Sequence, residues 1–341
     1  MNLFRVAIVG AGSLKGKELK DILEERRFPA IEVKLLDDDE SLGQLEAVGD
    51  EATFIQNVRP EQFNNIDFAF FASDEAFTRE NWRWAKQAGA AVVDMSYALE
   101  EEARTAIRAP WIEQELRLDE QLDLEADAAL VAHPAAVVLA LLLLRAHKLS
   151  GVKTAVATIF EPVSERGRRG MDELHEQTVN LLSFQQMTKK VFDAQVAFNM
   201  LARYGEHSQT RLETIEARIA RHFQQITRKR VPVPPLALVQ SPIFHGHIFS
   251  VYIELERPLA LGDFERAFQG DHVVLVRAGE EGPSNVTAAG REEILLTVRR
   301  DAQQEAGFWL WAAADNLRLT AITAFDCATA LALTRSRGPV Q

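Results

Sequence analysis

The first part of the chain alternates short apolar segments with stretches of mixed polarity. Residues 4–9 are mostly apolar and end at Gly10, and residues 17–26 are mostly polar, with apolar residues at positions 19, 22 and 23. Strands are predicted at 4–9, 31–36, 52–56, 66–71, 91–94 and 127–133, and helices at 17–26 and 77–88. Strands that alternate with helices indicate an α/β fold with a doubly wound parallel sheet.

The pattern changes after residue 134. An apolar helix is predicted at 135–148, polar or amphipathic helices at 172–188 and 211–221, and a closing helix at 319–333. Strands are predicted at 153–160, 239–243, 246–255, 272–277, 293–299 and 308–314. The strands follow one another here, which favours a second, α+β domain with a mixed sheet. We expect residues 1–133 with 315–341 to form the first domain and 134–314 the second.

Composition narrows the range of functions. The 341 residues suit two domains, and the net charge of −12 argues against nucleic acid and anionic membranes as partners. The longest apolar run, 135–144, is too short to span a bilayer, and the N-terminal sequence predicts no signal peptide. Cys327 is the single cysteine, which excludes an intrachain disulfide and favours a reducing cytoplasm.

A glycine-rich turn follows the first predicted strand. Gly10, Gly12 and Gly16, with Ser13 between them, are typical of a Rossmann-like dinucleotide site, where the pyrophosphate lies on a helix N-terminus. A tight strand-to-helix turn without a ligand explains the same glycines equally well.

An acidic run follows the second predicted strand. Asp37 lies about 20 residues after Gly16, the spacing at which an acid binds a ribose 2′-hydroxyl. Residues 37–40 are all acidic, which is equally typical of a solvated turn.

Residues 131–138 resemble the segment that holds the nucleophile in another family. They read Val-Ala-His-Pro-Ala-Ala-Val-Val and are similar to Ala-Asn-Pro-Asn-Cys-Ser/Thr of aspartate-β-semialdehyde dehydrogenases. In that family the thiolate attacks an aldehyde, and the acyl group then passes to phosphate. The resemblance places Ala136 at the cysteine, and alanine has no nucleophilic atom. It implies a divergent, cysteine-less paralogue with the scaffold of the enzyme.

Other ligand-binding positions also differ from the family. The catalytic glutamine corresponds to Glu161, in Glu-Pro-Val-Ser-Glu-Arg-Gly-Arg against Gln-Ala-Val-Ser-Gly-Ala-Gly-Arg. Two arginines that bind anions correspond to Glu100 and Gln240, and a lysine corresponds to Leu212. The catalytic histidine is retained as His247. Matches elsewhere run from Phe4 to about residue 332.

The resemblance also bears on the cofactor. The family pattern is Gly-Ala-Thr-Gly-x-Val-Gly, so Ser13 replaces the middle glycine and Lys15 the valine. An arginine that binds the 2′-phosphate of NADP corresponds to Glu40, and the neighbouring carboxylates would repel that phosphate. NADP is therefore disfavoured, whereas NAD stays open. Asn316 matches an asparagine that holds the nicotinamide end.

Two functions follow as hypotheses. In the first, the chain is a cytoplasmic homodimer that has lost the parent reaction and retains binding or assembly roles. In the second, it is an active NAD(P)-linked oxidoreductase that acts on an aldehyde or oxo group without a thiol. An inherited fold would bring Glu161 and His247 together, with His133 nearby. Such a group could act as a general base or hold a metal, but we favour a buried remnant of the old site with no metal.

Overall fold

A computed structural model describes residues 3–38, 43–48, 51–118, 126–277 and 279–334. The chain divides into two compact units. The first unit comprises Met1–Ala132 with Thr320–Gln341, and the second comprises His133–Leu319. Among the described residues, no helix is long and apolar enough to cross a membrane.

The first unit contains a parallel sheet. Its strands are β1 (Phe4–Val9), β2 (Ala30–Asp37), β3 (Leu45–Val48), β4 (Glu51–Phe54), β5 (Gln56–Asn57), β6 (Phe68–Phe71), β7 (Ala91–Asp94), β8 (Thr105–Arg108) and β9 (Ala128–Val131). Its helices are α1 (Leu14–Glu25), α2 (Glu75–Gln87) and α3 (Pro110–Glu115), with a 3₁₀ turn at Pro60–Phe63. Seven strands pair in the order β5-β2-β1-β6-β7-β9-β8, and β3 and β4 form a separate hairpin.

Burial and strand order confirm the predicted doubly wound sheet. All of its pairings are parallel. Residues 6–9 of β1 are wholly buried, as expected of a parallel strand with both faces covered. The chain moves from β1 to β2 on one side and resumes at β6 on the other. The carboxyl ends of β1 and β6 therefore lie at a topological switch point, where α/β sheets bind ligands.

The second unit contains a mixed sheet, as predicted. Its strands are β10 (Val152–Glu161), β11 (Leu236–Gln240), β12 (His247–Leu255), β13 (Val273–Leu275), β14 (Ile294–Arg300) and β15 (Gly307–Ala314). Its helices are α4 (Pro134–Ser150), α5 (Gly167–Leu182), α6 (Leu212–Ile226) and α7 (Leu261–Arg266), with a 3₁₀ turn at Val163–Arg166. Helix α8 (Asn316–Thr334) begins in this unit and continues into the first.

The two faces of the mixed sheet differ. The order is β11-β10-β12-β15-β14-β13, with parallel pairs at both edges and antiparallel pairs between them. On one face, α4 contacts β10 and β12, and residues 135–144 of this helix are all buried. The other face carries two cross-strand rows of partly exposed side chains, Val156–Tyr252–Trp309–Arg299 and Thr158–Ser250–Trp311–Thr297.

Some short elements differ from the sequence prediction. Strands β3 and β8 and helices α3 and α7 were not predicted, since each has only four to six residues and too few positions to show a period. The predicted helix 172–188 begins earlier, at Gly167, and ends at Leu182. The predicted strand 246–255 begins at His247, because Gly246 has a φ of +86° and bends the chain.

Candidate active site

The glycine-rich turn of the first unit is held by direct backbone packing. Gly10 has a φ of +84°, and a Cβ added there would lie 2.4 Å from the backbone nitrogen of Ser73. A Cβ added to Gly16 would lie 2.1 Å from the carbonyl oxygen of Gly10. Both distances are too short for a side chain. These two glycines are therefore required by the turn itself, whether or not a ligand binds.

Ser13 and Asp37 also bond to the backbone of this region. The Ser13 hydroxyl accepts from Gly16 N at 2.9 Å and donates to Ala72 O at 2.8 Å, so it caps α1. One carboxylate oxygen of Asp37 accepts from Gly12 N at 2.7 Å, and the other accepts from Asp38 N at 3.0 Å. Asp37 therefore holds the turn through both of its carboxylate oxygens.

Three charged residues replace family positions in this unit, and two of them lie within the described residues. Lys15 donates from Nζ to Met95 O at 2.9 Å and lies 4.5 Å from the centre of the Tyr97 ring. Glu100 is half-buried near the same turn. Glu40, at the position of the phosphate-binding arginine, lies outside the described residues.

In the second unit, the start of α4 carries Ala136. His133 caps the helix, because its Nδ1 accepts from Ala135 N at 3.2 Å, and Pro134 occupies the first helical position. Ala136 donates its backbone N–H to His133 O at 2.9 Å, and its methyl group is fully buried. His222 Nδ1 accepts from His133 N at 2.9 Å. The position that the resemblance gives to the nucleophile is thus a packed, apolar one.

Glu161 and His247 meet because adjacent strands carry them. Glu161 ends β10, His247 begins the antiparallel β12, and their neighbours Phe160 and Ile248 are register partners. Glu161 Oε2 lies 3.4 Å from His247 Nε2, and both side chains are buried. The ring centres of His247 and His133 are 5.7 Å apart. Glu161, His247 and His133 therefore lie close together, as expected.

Arg166 is a further member of this group that the sequence did not predict. Its Nη2 donates to Glu161 Oε1 at 2.7 Å, and its side chain is only 15% exposed. Burial lowers the pKa of Arg166, but Tyr204 and Glu161 outweigh burial and leave the pKa above its ordinary value. Glu161 therefore has a positively charged partner in Arg166.

Gln240 forms a closed set of hydrogen bonds. Its Oε1 accepts from the Tyr204 hydroxyl at 2.6 Å, and its Nε2 donates to Glu161 O at 2.9 Å and Ser241 O at 3.0 Å. The side chain is fully buried. Where the family binds a carboxylate with arginine, this chain thus has an amide whose donors and acceptor bond within the protein.

The side chain of Asn316, like that of Gln240, forms hydrogen bonds within the protein. Its Oδ1 accepts from Gly246 N at 3.0 Å, and its Nδ2 donates to Ser164 Oγ at 3.1 Å and Glu165 Oε1 at 2.7 Å. It is fully buried. We call Glu161, Arg166, Gln240, His247 and Asn316, with their partners Glu165 and Tyr204, the buried polar cluster.

The remaining candidates add no reactive group. Leu212 is buried at the start of α6, and His245 is half-buried before the bend at Gly246. Cys327 is fully buried, and burial raises the pKa of its thiol well above the usual range. Within the described ranges, no group of three or more histidine, cysteine or acidic side chains is arranged to hold a metal ion.

Arg166, Glu165 and Tyr204 are the members of the buried polar cluster that the sequence did not predict. The segment 161–168 contained a signal for two of them. Glu161 is charged where the resembling pattern has glutamine, and Glu165 and Arg166 are charged where that pattern has glycine and alanine. Opposite charges that appear together within six residues suggest a compensating ion pair. Nothing in the sequence indicated Tyr204.

Comparisons with known proteins agree with this architecture. The semialdehyde dehydrogenase NAD binding domain matches residues 5–141, and the semialdehyde dehydrogenase dimerisation domain matches residues 143–319. An aspartate-semialdehyde dehydrogenase of Rickettsia conorii is 28% identical over 321 residues, covering 92% of this chain and 93% of that protein. A USG-1 protein homolog of Pseudomonas aeruginosa is 30% identical over 317 residues, with the same coverage.

Solved structures show the same fold. Aspartate semialdehyde dehydrogenase II of Vibrio cholerae, complexed with ASA, has a TM-score of 0.86 at 24% identity and covers 98% of this chain and 99% of that one. A probable aspartate-semialdehyde dehydrogenase of Pseudomonas aeruginosa has a TM-score of 0.85 at 28% identity, with 97% and 98% covered. Together with the two domain matches, these similarities show that the chain belongs to the aspartate-semialdehyde dehydrogenase family.

Proposed function

We propose that this chain does not catalyse the NADP- and phosphate-dependent oxidation of aspartate semialdehyde, and that it serves in binding or assembly. The observation that carries the proposal is Ala136, a buried methyl group in the first turn of α4. A helix N-terminus favours a thiolate, and here no sulfur is present to use it. Cys327 offers no substitute, since burial keeps its thiol protonated.

The polar residues around this position support the same proposal. A substrate carboxylate or phosphate requires cationic side chains that are available for bidentate bonds. Gln240 is neutral and fully bonded, and the charge of Arg166 is balanced by Glu161. Loss of the nucleophile and of the anion-binding groups together is unlike the drift expected in a working enzyme.

Steady-state kinetics test the proposal. The protein should be purified from a host that lacks its own enzyme, and assayed with aspartate semialdehyde, phosphate and NADP. We expect no turnover above background, with the Vibrio cholerae protein as positive control. Ala136→Cys alone should also stay inactive, because the anion-binding groups are absent. Turnover that co-purifies with this chain through several columns would overturn the proposal.

A second candidate function rests on the contact between His247 and Glu161. An imidazole held by a carboxylate can deliver a proton to a carbonyl oxygen. A bound nicotinamide cofactor would supply the hydride, so no thiol would be needed. We propose NAD rather than NADP for this site, because Asp37 and Asp38 would repel a 2′-phosphate by up to about 4 kcal/mol for each close pair.

Fluorescence titration with NADH and NADPH separates the two functions. Tight binding of NADH together with oxidation or reduction of an aldehyde would support the second candidate. Absence of binding at millimolar nucleotide would support a role without catalysis. Tighter binding of NADPH than of NADH would contradict the proposed preference.

We also propose a homodimer formed through the open face of the mixed sheet, in the reducing cytoplasm. On this face Val156 is 45% exposed and Trp311 is 42% exposed, and they stand beside Tyr252 and Trp309. Contiguous aromatic and aliphatic exposure of this kind marks an interaction surface. A twofold interface would cover it with the same face of a second copy.

Light scattering after size-exclusion chromatography tests the interface. Val156→Lys places a charge on this face and should convert a dimer to a monomer at micromolar concentration. Ile31→Lys is the matched control, since Ile31 is 61% exposed on β2 of the first unit and lies outside the mixed sheet. Equal masses for both variants and the wild type would argue against this face.

A further inference from the structure

The turn that follows β10 sends two long side chains into the buried polar cluster. The turn Val163–Arg166 lies between Pro162 and Gly167, and Gly167 has a φ of +64°. Its backbone is held independently of these side chains, by Val163 N to Ile243 O at 2.9 Å and Ser164 N to Phe244 O at 3.0 Å.

The side chain of Glu165 occupies one polar group of the cluster. Its Oε1 accepts from Asn316 Nδ2 at 2.7 Å, and Asn316 also bonds to Ser164 and Gly246. Without Glu165, a buried amide donor would be available to an acceptor of another molecule. A buried donor without an acceptor is unfavourable, so a ligand that supplied the acceptor would be favoured at this place.

The side chain of Arg166 occupies a second polar group of the cluster, the carboxylate of Glu161. It forms a charge-assisted bond to Glu161 Oε1 at 2.7 Å, and Glu161 in turn contacts His247. A cationic or hydrogen-bond-donating ligand that approached Glu161 would have to displace this guanidinium. An anionic ligand would find the charge of Arg166 already neutralised.

We propose that Glu165 and Arg166 act as an internal ligand that fills the polar site next to Ala136 and keeps small carboxylates, amides and amines out of it. Its two ends are complementary to the site, a carboxylate on the amide of Asn316 and a guanidinium on the carboxylate of Glu161. His133 links the site to Ala136, because its ring packs on His247 and its carbonyl oxygen accepts from Ala136 N. The inference goes beyond the proposed loss of catalysis, since a chain without a nucleophile could still have kept an open pocket.

Thiol labelling measures whether the site is closed. Ala136→Cys introduces a reporter thiol, and iodoacetamide is a small, neutral probe for it. In the otherwise native chain, labelling should be slow, at a rate close to that of buried Cys327. In Glu161→Gln/Glu165→Ala/Arg166→Ala, the internal ligand is removed without leaving a buried charge, and we expect labelling at least tenfold faster. Intact mass and peptide mapping distinguish the two thiols.

A matched control removes the same two charge types from the surface. Arg169→Ala/Asp172→Ala lies on the exposed side of the first turns of α5 and should leave the rate unchanged. Cys327 reports unfolding, because global opening would label both thiols together. Equal rates for the reporter thiol in the native and triple-variant backgrounds would overturn the proposal.

A milder variant keeps the test decisive if the triple variant unfolds. Glu165→Ala alone removes one hydrogen bond of Asn316 and should raise labelling of the reporter thiol at least threefold while Cys327 stays slow. An unchanged rate in this folded variant would equally contradict the internal ligand. Labelling is independent of turnover, so its outcome and that of the kinetic assay can be read separately.

Discussion

The glycine-rich turn of the first unit and the buried polar cluster of the second differ in what they have retained. In the turn, Gly10 and Gly16 keep the residue type of a dinucleotide site, and the backbone itself requires them. In the cluster, Glu161, Gln240 and Arg166 differ from the family pattern and bond to one another. The glycines that shape the backbone are thus retained, whereas these three residues differ from the pattern and bond within the protein.

The difference teaches that a retained motif and a retained function are separate observations. Glycines that prevent a backbone clash persist for reasons of folding, so they are weak evidence for a bound nucleotide. A histidine such as His247 can likewise persist because its new carboxylate partner holds it. Variants in the glycine-rich turn and in the buried polar cluster test this distinction.

Arg166→Ala should have the largest effect on stability. It leaves Glu161 buried without its cationic partner, which costs about 3–5 kcal/mol. Urea denaturation followed by circular dichroism measures the change. Arg169→Ala, at an exposed position on α5, is the control. Glu161→Gln/Arg166→Ala should recover much of the loss, and a double variant no more stable than the single one would show that the charge pair is not the cause.

Gly10→Ala should have an effect of comparable size. Gly89 has nearly the same backbone angle, with a φ of +89°, but a Cβ there meets no atom within 4 Å. Gly89→Ala therefore carries backbone strain alone, about 1–3 kcal/mol, whereas Gly10→Ala adds overlap with Ser73 worth about a further 1–3 kcal/mol. The difference between the two midpoints of thermal unfolding isolates packing. Equal decreases of the two midpoints would mean that the turn after β1 can move away from the turn after β6 and so avoid the overlap.

Asp37→Ala should cost about 1.5 kcal/mol, because the Gly12 N–H loses a charged acceptor. Asp38→Ala, at an exposed neighbour, should change stability by less than about 0.5 kcal/mol. Urea denaturation and NADH titration of both variants sharpen the comparison. Loss of stability without any change in NADH affinity would assign Asp37 to the turn alone.

Ser13→Ala should have the smallest effect, about 1 kcal/mol, through loss of the N-cap of α1. Ser13→Asp restores an acceptor and places a negative charge at the positive end of the helix, so it should recover the stability. Thermal unfolding in low salt measures both. If Ser13→Asp were as unstable as Ser13→Ala, the bond from Ser13 to Ala72 would be the more important one.

The sequence predicted the long helices and strands and the residue types at the site positions. It did not predict which side chains bond to each other. The parallel and mixed sheets followed from periodicity, and the apolar run at 135–144 predicted the helix α4, in which these residues are buried. Strand β8 and helix α3 were missed because four to six residues carry no clear period. Proximity of Glu161 and His247 was expected only through the resemblance, and the pairing of Glu161 with Arg166 was not foreseen.

The sequence by itself determined the fold class, the absence of a thiol at residue 136 and the exchange of cationic positions, since these depend on local pattern and residue identity. Only the tertiary structure decided how the exchanged residues are used. Glu161, Tyr204, Gln240 and His247 come from separate strands and loops, and their hydrogen bonds depend on the orientation of each side chain after those segments pack. Residue type names the donors and acceptors, but packing alone decides whether they bond to one another or to a ligand.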